Sequence, residues 1–396
     1  MTQESFSSLP NVADIVIVGA GVMGTSIAFH LAQRKAGKIV IIDKEHVGRG
    51  GSGRSSALIR MHYSFPPEVE LAVISLRMFQ NWQEVVGVPG DFRKIGFVRI
   101  VHPNESERLK RNVEMQRKLG AKVELIGKYE LHELEPDWNV DAVTLAAYEP
   151  DSGYGDGAGV AGDFLNAARD RGVIYSSRTQ ATELTFSGGR ISGVVTDRGT
   201  ISSPSVIVAT GPWTKPLLRD AGYDVPIECE YHQVAILRNA PEMRGGGCAC
   251  IDSVTATYFR SDAHDKFLVG DFYGTRPVDP DNYPQRAADE SLEEIIERAS
   301  RRLPKLAGAE VMRGVTGVYD MTPDSRPLLG EIPGVRGLFL CAGFSGMGFK
   351  ISPAIGQVMS ELVLDGKAQS VNIAVFRPSR FAEGCPIKAE HEYVDD

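Results

Sequence analysis

Asp14-Ile-Val-Ile-Val-Gly-Ala-Gly-Val-Met-Gly24 decides the fold of this chain. Four branched apolar residues have the length and composition of a strand. The Gly19-x-Gly21-x-x-Gly24 turn that ends them opens directly into a helical pattern. Glycine is needed there because the backbone turns tightly and presents bare N–H groups to a pyrophosphate, with a helix N-terminus adding partial positive charge behind them. Outward from this turn, Lys38-Ile-Val-Ile-Ile-Asp43 reads as a second strand. Its terminal carboxylate falls about 20 residues after the last glycine, where a dinucleotide fold keeps its ligand for a ribose hydroxyl. An acid at that point argues against a 2′-phosphate, and so against NADP. Gly19, Gly21, Val22, Met23, Gly24, Asp43 and Lys44 are therefore the expected contacts of the first half of a dinucleotide.

The next stretch distinguishes between dinucleotides. Gly48-Arg-Gly-Gly-Ser-Gly-Arg-Ser-Ser56 places more glycine and hydroxyl groups directly after the second strand. A flavin dinucleotide, bound extended, needs such a loop to follow its diphosphate and ribityl chain, which makes Gly51, Ser52, Arg54, Ser55 and Ser56 candidate contacts. Ser205-Val-Ile-Val-Ala-Thr-Gly-Pro-Trp213 is a buried strand broken at Thr210-Gly211, able to bring backbone and Trp213 to the same cofactor. Gly337-Leu-Phe-Leu-Cys-Ala-Gly343 is a further apolar strand. It runs through Phe344, Ser345, Gly346, Met347, Gly348, Phe349 and Lys350 into a helix whose Ile355, Val358, Met359 and Leu362 recur at helical spacing. The N-terminus of that helix is suited to the negative charge of a reduced isoalloxazine. The expected cofactor is FAD.

In this order the four segments resemble the D-amino-acid oxidase, glycine oxidase and sarcosine oxidase family of FAD-dependent amine oxidoreductases, over residues 14 to 365. Within it the likeness is to the sarcosine oxidase β-subunit and monomeric sarcosine oxidase branch. It is carried by Arg54-Ser-Ser-Ala-Leu-Ile-Arg60, Tyr319-Asp-Met-Thr-Pro-Asp324 and Gly343-Phe-Ser-Gly-Met-Gly-Phe-Lys350. The resemblance implies an α/β chain with α+β elements, in which a Rossmann-type FAD-binding domain (residues 1–95, 150–225 and 318–376) is interleaved with an antiparallel-sheet substrate domain (96–149 and 226–317). A polar tail, 377–396, is expected to cross the surface or to be partly disordered.

Flavin amine oxidation moves a hydride equivalent from the carbon bearing nitrogen to flavin N5, and the imine then hydrolyses. The protein mainly orients the substrate. Lys350 follows the glycine loop, where an ammonium can project toward the cofactor, and Arg60 offers a planar bidentate fork. By resemblance both match the pair that holds the substrate carboxylate, and Tyr319 matches a position beside the flavin. The expected substrate is a small carboxylate-bearing amine, either a secondary or an N-substituted amino acid. A primary amino acid, a 2-hydroxy acid or a noncatalytic flavoprotein subunit stand as alternatives.

The chain also departs from the family's pattern. The position of the linking cysteine in monomeric sarcosine oxidases is Gly317, and neither the early glycine loop nor 151–159 holds a linking histidine, so FAD is expected to be noncovalent. The oxygen-activating lysine aligns with Leu268, and Lys266 lies two residues away, about 7 Å along a strand. Either oxygen, giving hydrogen peroxide, or an electron-acceptor protein or quinone is then the oxidant. Phe272 stands near the family's active-site histidine, while His62 and His232 lie in candidate site regions.

Length and composition agree with a large folded enzyme. The chain has 396 residues, 42% of them hydrophobic, with a net charge of −8 that argues against nucleic acid and anionic membranes as partners. No apolar run reaches the ~20 residues of a membrane span, and the polar N-terminus has no signal-peptide pattern. Five cysteines, with Cys248-Ala-Cys250 the one close pair, read as strand residues rather than metal ligands and fit a reducing, cytoplasmic setting. No metal is expected, and a homo- or hetero-oligomer is compatible with the sequence. Helices are expected at Glu68–Val86, Glu105–Leu119 (on the surface), Gly159–Arg171 and Asp289–Leu303, with antiparallel strands from Tyr231, Ala256 and Lys266.

Overall fold

In the computed structural model, residues 9–238, 247–262, 265–274 and 277–393 are described. Two large sheets organise them. The first has six strands, in the order Leu328–Glu331, Leu338–Ala342, Val206–Val208, Ile15–Val18, Ile39–Ile42 and Ile174–Ser176. All neighbours are parallel except the Leu328–Glu331 edge. Parallel strands buried on both faces call for continuous apolar runs, which is how Ile-Val-Ile-Val and Ile-Val-Ile-Ile read. Ile15 and Ile17 face a layer of helices, whereas Val16 and Val18 face the small meander of Ala181–Ser187, Arg190–Thr196 and Gly199–Ser202.

Because these strands are parallel neighbours, Gly19, Asp43, Ala209 and Gly343 all leave the sheet at the same edge. The segments that stand far apart in sequence thus end side by side. The helix Val22–Gln33 packs between Gly157–Arg169 and Ser352–Asp365. A Cβ on Gly356 would come within 2.1 Å of Ser26 Oγ and 2.7 Å of His30 Cδ2, so glycine is what lets the first and last helices cross closely.

The second sheet has eight strands, ordered Glu310–Met321, Glu228–Arg238, Lys266–Asp271, Thr257–Asp262, Ala249–Asp252, Phe97–Ile100, Ala146–Glu149 and Glu124–Ile126. It is antiparallel as expected, apart from one parallel pair between Ala249–Asp252 and Phe97–Ile100. Helix Asp289–Ser300 covers one face through Leu292, Ile295 and Ala299.

Two expectations need correction. The single helix expected at Glu68–Val86 is broken into Pro66–Gln80 and Trp82–Val85, because Asn81 leaves helical geometry and turns its side-chain amide back to Arg77 O. The surface helix forms as expected, at Ser106–Lys118, with a buried inner face on which Gln116 donates to Tyr63 O at 2.9 Å. Tyr319 lies near the end of the strand Glu310–Met321. The polar tail does not merely cross the surface. Arg380 is fully buried, in a bidentate pair with Asp324 at 2.7 and 2.8 Å, and Tyr393 is buried against His62. No described helix is long and apolar enough to cross a membrane.

Candidate active site

At the common sheet edge, packing explains two of the three opening glycines. A Cβ on Gly19, whose φ is +108°, would lie 2.4 Å from Ala209 O, and one on Gly24 would lie 1.9 Å from Gly19 O. Gly21 is different. Its missing side chain would face only Ser52 Oγ, at 3.3 Å, which leaves the backbone there open to a ligand. Ser52 Oγ accepts from Val22 N at 2.9 Å, so the second glycine loop sits on the N-terminus of the first helix. Asp43 accepts from Ala20 N and Glu45 N, each at 2.7 Å. Burial raises its pKa while these bonds oppose the rise. Lys44 lies 4.1 Å from the Trp213 ring centroid, and both side chains bond Asp281. Arg54 donates to the Tyr283 hydroxyl, to Thr316 O and to Gln285. A helix N-terminus, bare glycine backbone and an acid at the next strand end fit the diphosphate and ribose of an extended FAD.

The loop that follows Leu338–Ala342 is held from beneath. Asp320 is buried and accepts from Gly343 N at 2.6 Å. Burial pushes its carboxyl up to about 6 despite the opposing bonds from Gly343 and Phe344. Ser345 N donates to Asp320 O, and Thr322 N to Ser345 Oγ, fixing a turn in which Gly343, Ser345 and Gly346 all have positive φ. At Gly346 a Cβ would fall 2.5 Å from the Tyr319 ring, so this backbone lies directly against the phenol.

Between this loop, residues 55–64 and the eight-stranded sheet lies a cavity of about 310 Å³. Arg60, Lys350 and Tyr319 all line it, together with Gly346, Met347 and Phe349. Lys350 is buried, with Nζ 3.4 Å from Met347 O. Burial, and then the neighbouring Arg60 charge, hold its pKa well below the usual lysine range, against a smaller upward pull from Glu68. The Arg60 guanidinium lies 4.7 Å from the Tyr63 ring centroid, and its Nε is buried with no hydrogen-bond partner among the described residues. Behind it, fully buried Glu149 accepts from Met61 N and Ser152 Oγ. Burial lifts its pKa to about 7, so at neutral pH it only partly offsets the arginine. Arg60, with its unfilled donor, and the lysine beside it are able to receive an anion. Tyr319 stacks on His232 with centroids 4.1 Å apart, and its hydroxyl bonds Tyr258. Burial lowers His232 to about 4, and His62 well below its usual value with help from Arg99 and Arg60, so both imidazoles are neutral at pH 7.

Residues 14–362 match the family described as DAO, FAD dependent oxidoreductase. The chain belongs to this family. Human mitochondrial sarcosine dehydrogenase is 26% identical over 98% of the chain, which spans only 42% of that relative. The Bos taurus FAD-dependent oxidoreductase domain-containing protein 1 is 27% identical, with 95% of this chain and 86% of the relative covered. Glycine oxidase of Geobacillus kaustophilus is 25% identical, with 93% and 97% covered. Among solved structures, L-proline dehydrogenase from P. horikoshii superimposes with a TM-score of 0.88 at 28% identity, over 95% of this chain and 99% of that one.

In this FAD-dependent oxidoreductase several cavity residues lay beyond the sequence reading. Arg326, buried, pairs with Glu68 at 2.9 Å and Glu392 at 3.0 Å. Arg99, also buried, lies 4.9 Å from the Tyr393 ring centroid. An arginine inside the apolar run Phe97-Val-Arg-Ile100 was the available signal for Arg99; nothing local marks Tyr393. Phe272 lines the cavity, whereas Leu268 packs with Leu58, Phe97 and Tyr258, and Lys266, at the start of the strand, does not line it. Arg260 donates to Ser56 O at 2.7 Å and lines a smaller cavity of about 180 Å³ instead. Arg276 lies outside the described residues.

Proposed function

We propose that the protein oxidises the C–N bond of a small amine that carries a carboxylate, with secondary or N-substituted amino acids as its substrate class. The observation behind this is the meeting of Arg60 and Lys350 on one cavity wall, next to the Gly343–Gly348 turn, with Arg60 Nε buried and unpartnered among the described residues. FAD, when bound, supplies the acceptor for the hydride equivalent lost from the carbon beside nitrogen. The chain's own contribution is orientation. A substrate carboxylate relieves the repulsion between Lys350 and Arg60 and is fixed by charge-assisted bonds, which leaves the amine end toward the Tyr319–His232 side. Neutral His232 adds no positive charge there to oppose a protonated amine. The amino acids named in sarcosine dehydrogenase, glycine oxidase and L-proline dehydrogenase support the same substrate class. The five cysteines are free thiols, which supports a reducing compartment such as the cytoplasm.

The test is anaerobic bleaching of the flavin with N-methyl, N-carboxymethyl, cyclic and primary amino acids. We expect bleaching by at least one secondary amino acid, and none by any of them would defeat the proposal. The flavin itself is read as noncovalent. At Gly317 a Cβ would lie 3.4 Å from Arg54 Cβ, and glycine offers no thiol for a link. Acid precipitation should leave the yellow colour in the supernatant; colour in the pellet would contradict this.

Electron transfer out of the protein is read as favouring an acceptor other than oxygen. A fixed cation beside the reduced flavin would stabilise negative charge developing on oxygen. Leu268 packs in an apolar cluster, and Lys266 does not line the cavity. Stopped-flow reoxidation should be slow with oxygen and faster with an artificial quinone, and unchanged in Lys266→Met. Fast reoxidation by oxygen would remove the dehydrogenase reading.

A further inference from the structure

The family match ends at residue 362, yet the chain beyond it returns to the cavity. Phe376 and Arg380 are fully buried, Asp324 receives both Arg380 and the Ile387 N–H, and residues 382–386 then run exposed over the surface. At the far end, contacts cluster within three residues. His391 O accepts from Asn112 at 2.8 Å, Glu392 pairs with Arg326 at 3.0 Å, and Tyr393 turns inward with only 4% of its surface exposed. Its hydroxyl lies 2.9 Å from His62 Nε2 and its ring stacks on that imidazole at 5.8 Å, with the Arg99 guanidinium over it. Burial keeps His62 uncharged, so the contact is a neutral hydrogen bond and a ring stack that need no titration to form.

We propose that Tyr393 is a specificity-determining residue: the C-terminal segment supplies one wall of the substrate cavity, and this ring sets the size of group accepted on the His62–Arg99 side. The inference rests on the amino-acid reading of the cavity. A cavity of about 310 Å³ shared with the flavin-side loop leaves room for a small substrate only while the ring is in place. The ring is wedged between a cation and an imidazole and tethered on its N-terminal side by Glu392 and His391, so it has no alternative place without breaking those contacts. Removing it opens space lined by His62 and Arg99, which suits a bulkier or more polar substituent than the wild type admits.

The experiment compares full-length, FAD-loaded wild type with Tyr393→Ala, Tyr393→Phe and a chain ending at Glu392. Acetate and benzoate are titrated against each, and binding is followed by the perturbation of the flavin absorbance. Tyr393→Ala and the shortened chain should both shift the benzoate-to-acetate affinity ratio toward benzoate by about tenfold or more, the discrimination a shape-fitting apolar wall provides. Tyr393→Phe keeps the ring and should keep the wild-type ratio to within a factor of about two. Two different truncations of the same ring guard against one variant failing to fold. An unchanged ratio in either, with acetate still bound, overturns the wall assignment alone. Failure of both anions to perturb the flavin in wild type and variants alike overturns the carboxylate reading and this inference with it.

Discussion

Replacing Lys350 or Arg60 with methionine should each raise the substrate KM roughly 10- to 100-fold while FAD stays bound, because each removes a charge-assisted bond worth about 1.5–3 kcal/mol. The two variants should differ in their dependence on pH. Burial and the Arg60 charge hold the Lys350 pKa well below the usual lysine range. The ammonium is the form that binds a carboxylate, so raising the pH deprotonates it and weakens binding earlier than an ordinary lysine would. A bound anion pulls the pKa back up, which makes binding take up a proton on the alkaline side. Guanidinium groups do not deprotonate in proteins, so only the lysine can supply this dependence. The alkaline rise in KM should therefore persist in Arg60→Met and vanish in Lys350→Met. Unchanged KM values in both variants would place the anion elsewhere in the cavity, with Arg99 next to examine.

The parts of this molecule that were legible in sequence are those whose physics is local. A branched apolar run followed by glycine specifies a strand and a tight turn within about ten residues, and four such runs fell on adjacent parallel strands. Arg60 and Lys350 were legible because each directly follows a glycine-marked segment, so their register was tied to a motif. Arg99, Arg326 and Tyr393 were not. Arg99 reaches the cavity only because Phe97–Ile100 pairs with strands more than 40 residues away on one side and more than 140 on the other, a register no local pattern contains. Tyr393 meets His62 across 331 residues of chain. The polarity of its segment signalled solvent, and that signal is correct for residues 382–386. It fails at Arg380 and Tyr393 because a buried polar side chain looks exposed in sequence until its partners are known. For Arg380 the partner is Asp324, whose motif was already noted for another reason.

Asp324→Ala should be the most destabilising single substitution outside the cavity. The Arg380 side chain is fully buried and that of Asp324 is 3% exposed, so removing the carboxylate leaves a guanidinium away from water with no counter-charge. Breaking such a pair costs about 3–5 kcal/mol. Arg380 also donates to Arg326 O, Pro327 O and Phe376 O, so it cannot simply swing out without abandoning three further acceptors. The sign with pH follows from the same contacts. Burial alone would raise the Asp324 pKa, but hydrogen bonds from Arg380, Ile387 and Arg326, with the Arg380 charge, bring it below the ordinary value. A depressed carboxyl stabilises the fold above its unfolded pKa, about 3.9, and that contribution disappears as acid titrates the folded group below it. In chemical denaturation of the FAD-loaded protein, Asp324→Ala should lose about 3–5 kcal/mol at pH 7, and the difference from wild type should shrink below about pH 4. Because the same carboxylate holds Ile387 N, the variant should also free the segment that carries Tyr393. Its benzoate-to-acetate ratio should then move in the same direction as in Tyr393→Ala. A loss of less than about 1 kcal/mol, the range of a solvent-exposed ion pair, would mean that Arg380 finds water in solution and that Asp324 does not anchor the tail.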